Sequence, residues 1–78
     1  MTMTIASTTK TVTLDGVLCR IWEGSTERGV KVHCFIPRVA VAPEDASEEA
    51  MAQFEQELAE QRPPSPVIDA TYPLRMIL

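Results

Sequence analysis

The sequence holds only two cysteines, one histidine and three glycines among its 78 residues, and each scarcity removes a class of function. Cys19 and Cys34 are too few and too far apart for a zinc site, which wants four ligands at short paired spacings, and His33 is the sole imidazole that could join them. No Ser, His and Asp set, no paired carboxylates and no glycine-rich phosphate loop stand out; Gly24 and Gly29 read as turn residues. No apolar run approaches the roughly 20 residues of a membrane span. Residues 1 to 9 lack both the cation and the apolar stretch of a secretory leader. A cytoplasmic protein with no membrane association, no metal, no cofactor and no catalytic activity is the expectation.

What is present is an ordinary globular composition, 45% hydrophobic and 23% charged, in a chain of single-domain length. A domain this small buries only about 60 to 65% of its unfolded surface, so a second copy would help to stabilise it. The net charge of -4 hides a division. Residues 1 to 42 carry five cations against three anions, whereas residues 43 to 78 carry Arg62 and Arg75 against Glu44, Asp45, Glu48, Glu49, Glu55, Glu57, Glu60 and Asp69. An acidic balance of this kind opposes general binding to nucleic acid.

The Thr- and Ser-containing stretch over residues 1 to 9 reads as a disordered tail, and residues 10 to 78 as one α+β domain of order β-β-β-α-β. Asp15-Gly16 between two β-favouring runs predicts a two-residue type I′ hairpin, which sets Leu14 opposite Val17, Thr13 opposite Leu18, Val12 opposite Cys19 and Thr11 opposite Arg20. A turn over Glu23 to Gly29 leads to a third and longest strand between Val30 and Val41, interrupted at Pro37. Matching its apolar face to that of the second strand places Ile21 opposite Val32, Cys19 opposite Cys34 and Val17 opposite Ile36. Asp45 and Glu48 suggest a capping box for a helix over Ala46 to Gln61, ended by Pro63 and Pro64. Its stripe of Ala46, Ala50, Met51, Phe54 and Leu58 should pack on one face of a mainly antiparallel sheet. Leu74 to Leu78 reads as a final strand. The expected core is Val12, Leu14, Val17, Cys19, Ile21, Val32, Cys34, Ile36, Met51, Phe54 and Leu58.

This register gathers Leu18, Arg20, Trp22, Lys31, His33 and Phe35 on the face away from the helix, the one surface that mixes aromatics with cations. Such a surface suits a homodimer interface, because Trp and Arg concentrate at interface centres and one helix covers only one side of a sheet. It also describes a solvated face on which the Lys31 stem lies over Trp22. A third reading is single-stranded nucleic acid stacked on Trp22 and Phe35, with Arg20 and Lys31 on its phosphates; the net charge opposes it. A thiol enzyme built on His33 and Cys34 is disfavoured, since adjacent strand residues point to opposite faces. The two cysteines read as reduced core thiols rather than as a disulfide. A non-catalytic interaction module that self-associates through this face, or through the edge strand Leu74 to Leu78, is therefore the functional expectation. An unidentified protein partner is the other occupant such a surface admits.

Overall fold

A computed structural model describes residues 1 to 66 and residue 77. Strands β1 (Met3–Leu14), β2 (Val17–Thr26) and β3 (Lys31–Ile36) are followed by a 3-10 turn at Pro43–Asp45 and by helix α1 (Glu48–Leu58). The strands form one antiparallel sheet in the order β1-β2-β3, so the fold is α+β. The expected strand at Leu74 to Leu78 falls outside the described residues, apart from Ile77.

The first hairpin follows from its turn. Asp15 and Gly16 both take positive φ, 52° and 79°, as a type I′ turn requires. The pairs from Leu14 with Val17 to Thr11 with Arg20 are those the sequence predicts. The expected tail is instead the first half of β1: Met3 to Ser7 pair with Thr26 to Trp22, and the Glu27 amide donates to the Thr2 carbonyl at 3.2 Å. Threonine's branched side chain favours the pleated strand, and the partner segment beyond Trp22 continues as strand where a turn was expected. Gly24 makes this pairing possible. A Cβ there would run into the Thr4 carbonyl and lie 2.8 Å from the Ile5 Cα.

Between the two paired stretches Thr8, Thr9 and Lys10 stand opposite Ile21 alone, a bulge held by side-chain and backbone hydrogen bonds. Thr8 is fully buried; its hydroxyl donates to the Ile21 carbonyl at 2.7 Å and accepts from the Lys10 amide at 3.2 Å. Arg20 Nη1 donates to the Thr8 carbonyl at 2.9 Å. Arg62 bridges the outer side, its amide donating to the Ser7 carbonyl at 3.2 Å and its carbonyl accepting from the Thr9 amide at 3.0 Å.

The second hairpin corrects the expected register. Ile21 pairs with Phe35 rather than Val32, and Trp22 pairs with Cys34, a shift of three residues. The cause is Gly29, whose φ of 85° closes a loop over Glu27 to Gly29, with the Gly29 amide donating to the Thr26 carbonyl and the Thr26 amide to the Val30 carbonyl. An odd shift exchanges faces. Cys34 lies opposite Trp22 rather than Cys19, which keeps its expected partner Val12, and the cysteines sit on opposite sides of the sheet as free thiols. Among the described residues β3 is the shortest strand rather than the longest. It stops at Ile36 because Pro37 has no amide to donate.

Helix α1 starts later than its sequence suggests. Ser47, not Asp45, is the N-cap, accepting from the Ala50 amide at 3.1 Å, while Pro43 to Asp45 form their own 3-10 turn. Glu48 and Glu49 suit the positive end of the helix. None of its residues is buried: Met51 and Leu58 are exposed and Phe54 is half-covered. Among the described residues the buried apolar core is Cys19 and Ile21, the latter 1% exposed. Val12, Leu14, Val32, Cys34 and Ile36 are half-covered, and Val17 is exposed.

Candidate functional site

Residues opposite one another in an antiparallel pair share a face, so the observed pairing assigns each side chain to a side. One side carries Cys19, Ile21 and Glu23 of β2 with Lys31, His33 and Phe35 of β3. At its centre Glu23 is 7% exposed. Its Oε1 accepts from Arg62 Nη2 and from the Ser65 amide, each at 3.2 Å, and its Oε2 accepts from Ser65 Oγ at 2.9 Å, with His33 Nε2 at 3.8 Å. Burial works to raise this carboxyl. The Ser65 hydrogen bonds and the Arg62 and His33 charges outweigh it, holding Glu23 below the ordinary carboxylate value.

This cluster locks distant segments of the chain together. The Ser65 hydroxyl and amide both donate to the Glu23 carboxylate, so each carboxylate oxygen is hydrogen-bonded to the segment after the helix. Together with the Arg62 bridge to β1 it fastens the segment after the helix onto the sheet. Cys34 lies on the opposite face from His33, as strand alternation requires.

The other side carries Leu18, Arg20 and Trp22 of β2, with Val32, Cys34 and Ile36 of β3 and Ser7 of β1. Here Ala6, Ser7 and Trp22 line a cleft of about 330 Å³ with Phe54, Glu57, Leu58 and Glu60. Ser7 Oγ donates to the Glu60 carbonyl at 3.1 Å, which ties the end of the helix to β1. The floor is apolar and two carboxylates stand among its lining residues. No basic residue occupies the last helical turn, so Glu57 adds its charge to the negative end of the helix dipole.

The structure therefore divides the six residues expected on one surface. Leu18, Arg20 and Trp22 stay together on the cleft side, with Leu18 65% exposed, while Lys31, His33 and Phe35 belong to the Glu23 side. Trp22 and Phe35 form no shared stacking platform, and the Arg20 guanidinium is engaged by the bulge. The sequence reading missed Phe54, Glu57, Leu58 and Glu60 as site residues because it placed the helix on the opposite face. It missed Glu23 by assigning it to a turn; read as strand, Glu23 continues the inward alternation of Cys19 and Ile21. Among the described residues no group of His, Cys, Asp and Glu is placed to hold a metal ion, and no helix is long and apolar enough to cross a membrane. Searches against known protein families, curated proteins and solved structures find no match to this chain.

Proposed function

We propose that this protein is a non-catalytic assembly module that self-associates through the cleft side of its sheet. The observation that carries this reading is the helix: α1 turns an apolar stripe and Trp22 into a common cleft, yet none of its residues is buried. Met51, Leu58 and Leu18 stay exposed around it. Apolar area left in water at this density marks a contact surface, and a second copy is the cover always available to a chain that meets itself at every concentration. The same geometry withdraws support from nucleic-acid binding, since Trp22 and Phe35 lie on opposite faces, as do Arg20 and Lys31.

Sedimentation velocity over a hundredfold range of concentration tests the reading. A shift from monomer to dimer mass is expected, accompanied by a change in the emission of Trp22, the single tryptophan. A monomer throughout that range would overturn it.

A further inference from the structure

We infer that the β2–β3 hairpin loop of one copy seats Val30 in the cleft of the other, with Arg28 and Lys31 meeting Glu57 and Glu60; this deepens the self-association reading and rests on it. The loop presents an apolar anchor flanked by cations: Val30 is 61% exposed and Arg28 and Lys31 are exposed on either side. Among the described residues neither cation is in an ion pair, nor is Glu57 or Glu60. Glu27 leaves the loop with a net single positive charge. The cleft offers the complement, an apolar floor of Trp22, Phe54 and Leu58 beside two carboxylates at the negative end of a helix. Its volume of about 330 Å³ is at the small end for ligand sites and suits a side chain.

The loop is also stiff. Beyond the two backbone bonds that close it, the Val30 amide donates to Thr26 Oγ1 at 3.2 Å, so little freedom is lost on docking. The exposed Val39 beside Arg38 has a similar composition, but no described hydrogen bond fixes its segment. Four residues of strand, roughly 13 Å, separate Thr26, which is bonded to Val30, from the Trp22 of its own chain. A stiff hairpin cannot fold back over that distance, whereas a two-fold axis places each loop in the other copy's cleft.

Charge exchange tests this. Arg28→Glu with Lys31→Glu in one variant, and Glu57→Lys with Glu60→Lys in another, should each sediment as monomers where the parent is a dimer. Mixed in equal amounts they should form a dimer, because one contact is then reversed in sign on both sides and the other is unchanged. Circular dichroism of each variant checks that it is folded. Val30→Ser, which alters no charge, should raise the dissociation constant about tenfold or more. If the parent dimerises and both charge variants do so equally well alone, self-association stands and the loop-in-cleft assignment falls. A parent that is monomeric at every concentration removes both.

Discussion

On one face of the sheet Glu23 is buried beneath hydrogen bonds from Arg62 and Ser65, whereas on the other Trp22 opens into a cleft whose helical wall buries nothing. Both faces lie on the same three strands, and the contrast comes from what the chain after β3 supplies to each. To the first it supplies directional groups that fit one carboxylate. To the second it supplies an apolar stripe that, among the described residues, is tied to the sheet by a hydrogen bond at one end, from Ser7 to Glu60. Polar locks close over a short segment because each bond fixes a position, while apolar closure needs area, and an eleven-residue helix touching a sheet near one end does not provide it.

The largest difference between the faces should appear on truncation. Ile21→Ala, at the buried centre, is expected to lower stability by about 2–5 kcal/mol in urea unfolding. Next comes Thr8→Val, which keeps the shape but deprives the Ile21 carbonyl and the Lys10 amide of their partner. A loss of about 1–3 kcal/mol is expected, with Thr8→Ser recovering part of it. A stability equal to the parent's would show that the bulge does not depend on this hydroxyl.

Acidification should act on the locked face selectively. Glu23 is held below its ordinary value of 4.5, so its contribution is fully present above that value and is lost as pH falls through the lower folded-state value. Urea midpoints measured between pH 6 and 3 should fall more steeply for the parent than for Glu23→Gln. Equal slopes would mean that the lock contributes nothing to pH dependence. The smallest effect on folding is expected for Leu58→Ser, within about 1 kcal/mol, because this side chain is exposed in the single chain. The same substitution should weaken association, and a large loss of folding stability instead would place Leu58 in the core.

The parts of this fold that local chemistry dictates were legible in the sequence. Asp15-Gly16 has one good conformation and transmits its register to Leu14, Val17, Val12 and Cys19 without help from distant contacts. Gly29 carried equivalent information, but matching Val32 to Ile21 by hydrophobicity overrode it, and the observed turn placed Phe35 there. The strand over Met3 to Thr9 was hidden by its polarity: its pairing depends on the small size of Gly24, across the sheet, and on Arg62, far along the chain. For the site, the apolar stripe of α1 was readable from spacing. The face it would lie against was not, because one misplaced hairpin turn reverses every side of β3.

β1 has a further consequence through its position. Among the described residues it is the longest strand and pairs with a strand on one side only, and an edge of twelve residues would ordinarily serve as a template for fibre growth. The bulge at Thr8 to Lys10 bends that margin in its middle, and Arg62 occupies the outward groups of Ser7 and Thr9. An incoming strand finds two short stretches instead of one long one. Because the side chain of Arg62 is held by Glu23, the seal shares the acid sensitivity of the lock. Fibrils that bind thioflavin T are therefore expected in acid well before they form at neutral pH.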